Sequence, residues 1–257
     1  MLLALDVGNS ETVLGVFDDS ELVEHWRVST QASRTQDELA LLFAGLLGFR
    51  GLSFPQHIRG VVIASVVPSL TETLRDMVRR YCRFEPVIVE PGTRTGIAIR
   101  MDNPREVGAD RIVNAVAAHA FYGGPAIVVD FGTATSFDAV GRDGEFLGGA
   151  IAPGIQSSTD ALVSRAARLP KVEIVAPKAV IGTSTVTALQ SGIVFGFAGQ
   201  VDSIVKRMSE SLGRGVTTVA TGGLAFAVLQ ACTTIDHHDP WLTLKGLRII
   251  WERNTRD

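Results

Sequence analysis

Three aspartates stand where a carboxylate could handle phosphate or proton chemistry. Asp6 and Asp130 each close an apolar run and are followed two positions later by glycine, in LLALDVGNS and AIVVDFGTATS. Glycine at 8 and 132 lets a backbone turn approach a ligand with no Cβ in the way. The N–H groups of such a turn, with the hydroxyls of Ser10, Thr133 and Thr135, can donate to phosphate oxygens. A carboxylate at the end of a buried strand is costly unless a cation or donor offsets it, and magnesium or a monovalent ion would do so. Asp110 is different: it precedes Arg111 and follows Gly108-Ala109 at the start of a helical pattern. A helix N-terminus favours the ionised form that a general base needs, and the planar fork of Arg111 suits a carboxylate or polar group.

The two Asp-x-Gly stretches are related. The shift that carries Asp6 onto Asp130 also carries Gly8 onto Gly132, Thr12 onto Ser136, Val16 onto Val140 and Glu21 onto Glu145, with no gap. Asp-x-Gly alone is a common turn, but its recurrence at constant offset predicts a structural duplication.

The elements that must position these residues follow from patterning. Residues 2–6, 12–17 and 22–28 read as strands, with a tight turn at Asp18-Asp19-Ser20. Thr35 to Glu38 has capping-box spacing ahead of a helix, and Ser69 to Glu72 repeats it ahead of a second. Strands at 59–67 and in PVIVE, then a helix over DNPREVGADRIVNAVAAHAF, complete a βββαβαβα order. The second half restarts with strands 126–130, 134–140 and 145–151, followed by a helix from about 184 to 211, the strand GVTTVA, a helix opening at TGG and a terminal helix, LTLKGLRIIWERN. The expected division is 1–120 and 121–257, near Gly123-Gly124-Pro125.

Composition is that of a folded chain: 257 residues, 46% hydrophobic and 20% charged. A formal net charge of −3 advertises neither nucleic acid nor anionic lipid. Two distant cysteines predict a reducing compartment, and no convincing signal peptide or spanning segment is read, so the expectation is a cytoplasmic protein. None of the four lysines follows glycine, which excludes a Walker A loop. Asp236-His237-His238-Asp239 reads as a solvated loop rather than a metal site.

Duplicated βββαβαβα halves, each opening with a strand–Asp-x-Gly hairpin, resemble the actin-like ATPase and sugar-kinase superfamily. The resemblance implies an α/β fold of two RNase H-like domains with an inter-domain nucleotide cleft. It narrows on DVGNS, NPREVGADR, DFGTATS, GGAIAPG and TGG, in that order, to the type III pantothenate kinases. That family implies transfer of the ATP γ-phosphate to pantothenate, the entry step to coenzyme A, by homodimers using Mg²⁺ and a monovalent cation such as K⁺ or NH₄⁺. Carried onto this sequence, Asp110 is the catalytic base. Asp6, Val7, Gly8, Asn9, Ser10, Glu11, Thr12 and Val13 wrap the phosphates, and Asp6 holds Mg²⁺ through water. Thr133, Thr221 and Gly222 contact ATP, and Asp130 holds the monovalent cation. Met101, Gly108, Ala109, Asp110, Arg111 and Thr185 contact substrate. Two departures are visible: Ser10 replaces the usual threonine, and Met101 stands where many members have tyrosine. A regulatory relative that only binds nucleotide would be expected to lose Asp6, Gly8, Asp110 or Asp130, and all four are present. Another actin-like sugar or acyl kinase would have no reason to carry GADR.

Overall fold

A computed structural model describes residues 1–166 and 168–255. By contacts the chain divides into two units. Unit 1 holds Met1–Ile97, Asp102–Ala117 and the stretch from Leu242 onward, and unit 2 holds Ala98–Met101 and Ala118–Trp241. The expected division at 120/121 differs from this at Ala98–Met101 and Ala118–Ala120, which join unit 2, and at the last helix, which joins unit 1.

Unit 1 is built on strands β1 (Leu2–Val7), β2 (Glu11–Asp18), β3 (Glu21–Ser29), β4 (Gly60–Ser65) and β5 (Val87–Ile88), ordered β3-β2-β1-β4-β5. Helices α1 (Gln36–Gly48), α2 (Phe54–His57) and α3 (Pro68–Cys82) come from the segments linking β3, β4 and β5. Leu3, Leu5 and Val7 of β1 form a buried core with Phe43 of α1 and Leu74 and Met77 of α3. Thr35 caps α1 as its spacing predicts: its Oγ1 accepts from Glu38 N–H, and Glu38 Oε2 accepts from Thr35 N–H at 2.8 Å. The second expected capping box does not form. Pro68 takes the first position of α3, where its missing N–H needs no partner, and Ser69 lies inside the helix.

Helix α4 (Ala109–Tyr122) starts later than the pattern suggested, after a single 3₁₀ turn at Pro104–Glu106. Asn103 Oδ1 accepts from Arg105 N–H at 3.3 Å, and its amide donates to Glu106 Oε1 at 2.6 Å. This local bonding competes with a continuous helix.

Unit 2 repeats the sheet with β6 (Ala126–Phe131), β7 (Ala134–Val140), β8 (Phe146–Pro153), β9 (Thr217–Thr221) and β10 (His237–His238), ordered β10-β9-β6-β7-β8. Helices α5 (Ile155–Arg165), α6 (Thr185–Leu212) and α7 (Ala225–Leu229) complete it, with Ile127, Val129 and Phe131 packed on Val201, Val205 and Val228. The Asp236–Asp239 stretch is therefore not wholly a loop. Its His237-His238 pair is the fifth strand, the counterpart of β5, paired parallel to β9. Asp236 Oδ2 accepts from Thr218 N–H at 2.8 Å, and buried Asp239 accepts from Trp241 N–H and the Tyr122 hydroxyl. Both histidines are exposed, and no metal-type cluster occurs among the described residues.

The last helix, α8 (Leu242–Thr255), packs on the first sheet because two glycines there leave room. A Cβ on Gly15 would meet Leu244, and one on Gly60 would meet the Trp251 ring. Among the described residues no helix is long and apolar enough to cross a membrane.

The duplication holds in three dimensions, but not without a gap. Val7 pairs with Thr12 across the first hairpin, whereas Phe131 pairs with Thr135 across the second. The second loop is one residue shorter, so Thr12 corresponds to Thr135 and Val13 to Ser136. The first strands share the burial pattern BBBBiB, and the second strands both begin eBiBBBB. The far turn regains the residue: Phe17 pairs with Leu22, Val140 with Phe146, each beside a bulge at corresponding places. Holding the ungapped register would have turned every second-strand side chain to the opposite face.

Candidate functional site

In unit 1 the candidate residues gather at the end of the parallel pair β1–β4. Asp6 is opposite Ala64, and Val7 C=O accepts from Val66 N–H at 3.0 Å. The loop after β1 is closed by Gly8 N–H donating to Glu11 C=O at 3.0 Å, and Ser10 C=O accepts from Thr30 N–H at 2.9 Å. Asn9 and Ser10 are exposed, while Val7 is buried and Val13 partly so. Thr12 is buried with its hydroxyl 2.8 Å from that of Thr30, and Glu11 pairs with Arg27 at 2.8 Å. The loop thus presents backbone and short polar groups while its flanks are tied down.

The start of α4 reaches the same sheet end. A Cβ on Gly108 would lie 3.7 Å from Val66 Cγ1 and only 2.5 Å from Asp110 Oδ1, so glycine is what lets the carboxylate fold back there. Asp110 Oδ1 accepts from Arg111 N–H at 2.8 Å. Burial pushes the Asp110 carboxyl above its usual 3.8, and this outweighs the Arg111 N–H bond and guanidinium charge, which pull it down. The sequence-based expectation that the helix N-terminus would favour ionisation has the right local sign, but desolvation is larger.

In unit 2, Asp130 stands at the end of β6 opposite Thr221 of β9. Gly222 has φ +94°, and a Cβ on it would fall 2.5 Å from Asp130 Oδ1. The Gly132 N–H donates to Ala134 C=O at 3.0 Å, and Thr133 C=O accepts from the Ser157 hydroxyl at 2.9 Å. Ser157 and Thr30 are supports that sequence reading passed over, because nothing in their local spacing announces a partner so far along the chain. Met101 also belongs to unit 2: its Sδ lies 3.1 Å from where a Cβ on Gly148 would be, and Arg100 N–H donates to Phe146 C=O at 2.8 Å. Thr185 is the exposed first residue of α6, just after the N-cap Ser184, and is not among the residues gathered at the Asp130 turn.

Two matching β-sheets, each opening with an aspartate–glycine hairpin, define an α/β fold of two RNase H-like units. Solved structures agree at the level of fold. The ROK hexokinase of Thermus thermophilus superposes with a TM-score of 0.52 at 14% identity, covering 97% of each chain. The activator of 2-hydroxyisocaproyl-CoA dehydratase from Clostridium difficile, solved with bound ADPNP, gives 0.52 at 13% identity, covering 98% of this chain and 94% of its own. The sequence model of type III pantothenate kinase matches residues 2–207. The type III pantothenate kinase of Streptomyces griseus is 58% identical, covering 99% of this chain and 98% of its own. The chain belongs to the type III pantothenate kinase family, phosphotransferases of coenzyme A biosynthesis.

Proposed function

We propose that this protein moves the γ-phosphate of ATP to the primary hydroxyl of pantothenate, with Asp110 accepting the hydroxyl proton. The observation that carries the residue-level reading is the carboxylate of Asp110, sequestered against Gly108 at the sheet end that also bears the Asp6 loop. Phosphoryl transfer asks a protein mainly to position reactants and balance charge. A base with a raised pKa accepts a proton more readily, provided it is ionised at working pH. Arg111 and the exposed backbone of Gly108-Ala109 would orient pantothenate, Met101 would supply an apolar wall, and Thr185 a further polar contact.

Residues 6–13 would hold the triphosphate, Asn9 and Ser10 through side chains and Gly8 by allowing close backbone approach. Asp6 offers an oxygen donor suited to Mg²⁺ through water. Thr133, Thr221 and Gly222 would also contact ATP. Asp130 lies against the Cβ-free Gly222, and this cradle fits a monovalent cation, K⁺ or NH₄⁺. The two ions, when bound, supply positive charge to offset that on the transferring phosphate.

A homodimer fits the exposed Leu162 and Val186, which sit on α5 and α6 beside an apolar groove lined by Leu189, Ile193 and Phe197. We place the protein in the cytoplasm, where ATP and pantothenate are available. The test is ATP turnover by purified protein, with and without pantothenate, in K⁺, NH₄⁺ or Na⁺. Pantothenate-dependent turnover that needs K⁺ or NH₄⁺ supports the reading; folded protein with no turnover in any condition overturns it.

A further inference from the structure

Asp6 and Asp130 hold the same place in two copies of one hairpin, but their neighbours differ in kind. The ladder partners of Asp6 are Val13 and Ala64, whereas those of Asp130 are Ser136 and Thr221. Partners across a ladder share a face with Cβ atoms about 5 Å apart. Asp6 is therefore flanked by carbon, and Asp130 by a hydroxyl on each side.

The next position along that face extends the contrast. In unit 1 it is Gly15, which leaves room for Leu244 of α8. In unit 2 it is Asp138, fully buried, whose Oδ2 accepts from the Ser136 hydroxyl at 3.2 Å. With its proton committed to Asp138, the Ser136 oxygen keeps lone pairs for another partner. Carboxylate and hydroxyl oxygens suit a hard cation rather than a soft metal. Duplication supplied one backbone twice, and of the ladder partners of the two aspartates those of Asp130 carry hydroxyls while those of Asp6 do not.

We propose that Ser136 is a further ligand of the monovalent cation held at Asp130, with Asp138 as the positioning residue that orients its hydroxyl. The proposal rests on the reading of Asp130 as the cation ligand.

The test is a thermal-shift titration of the full chain with KCl against choline chloride at constant ionic strength, in Mg·ATP without pantothenate. The wild type should gain Tm with KCl. Ser136→Ala, which removes the donor to buried Asp138, should melt lower in choline and also need about tenfold more KCl for its rise in Tm, the low end of what losing a supporting group costs metal affinity. Ser136→Thr, which restores the oxygen, should return the midpoint to within about twofold of wild type, a recovery that a merely structural role would not give. If Ser136→Ala titrates like wild type while Asp130→Asn has lost the response, Ser136 is not a ligand and the proposal fails alone. If Asp130→Asn also titrates like wild type, or wild type does not respond, the reading of Asp130 fails and takes the proposal with it.

Discussion

Thr12 and Thr135 occupy corresponding positions in the two hairpins, both buried, yet their hydroxyls meet different fates. Thr12 Oγ1 lies 2.8 Å from Thr30 Oγ1, while Thr135 Oγ1 is buried with no hydrogen-bond partner among the described residues. Gly154 holds the place of Thr30 in the second copy, and a Cβ there would fall on the carbonyl oxygens of Gly132 and Thr133. Close packing of the second loop thus removed the partner that the first loop kept.

That asymmetry predicts opposite outcomes for one substitution. Thr12→Val should cost about 1 kcal/mol, because it strands the Thr30 hydroxyl. Thr135→Val removes an unsatisfied hydroxyl and should be neutral or stabilising. Urea denaturation of both variants measures the difference; equal losses would contradict it.

Asp110→Asn should reduce kcat by about 10²–10⁴-fold, the range for losing a general base, with ATP binding largely intact. Normal kcat would remove Asp110 from the role of base.

The same variant carries a stability signature. A carboxyl whose folded pKa is raised contributes stability that is complete below its unfolded value and lost as pH rises through the folded pKa. At pH 7 the wild type therefore bears the cost of a desolvated charge, and Asp110→Asn should melt higher. Below about pH 4, near the ordinary carboxyl pKa, the two proteins should melt together. Differential scanning calorimetry across pH 4–7 reads this directly.

Gly108→Ala should lower kcat by about 10²-fold, since the added Cβ displaces the Asp110 carboxylate from its position. Far-UV dichroism should remain that of the wild type, because the change lies outside any regular element. Unaltered kcat would show that the carboxylate can move without consequence.

Gly222→Ala meets both a left-handed φ of +94° and the backbone of Phe131. It should destabilise by about 2 kcal/mol and abolish the KCl-dependent rise in Tm by crowding Asp130. Chemical denaturation and the KCl titration report the two effects separately.

Local patterning carried much of the fold. The apolar runs ending in Asp6 and Asp130, the Thr35 cap and the GADR stretch were legible because strand alternation, capping and family motifs act over a few residues. The start of α3 was missed because Pro68 and Ser69 both signal a helix start, and only the chain path shows that proline took the first position. The Asp236–Asp239 stretch was missed because a two-residue strand has too little length to show alternation, and its pairing with β9 is its only definition.

The amino-acid order by itself determined the duplication and the family, since these rest on residue types in ordered motifs, and the family resemblance pointed to Asp110 as the candidate base and to Asp6 and Asp130 as candidate ion ligands. The tertiary structure alone decided which second-strand residues correspond, because a one-residue change of loop length exchanges the faces of every side chain beyond it. It also decided that Asp110 is desolvated and that α8 covers the first sheet, since burial depends on segments far apart in sequence that only folding brings together.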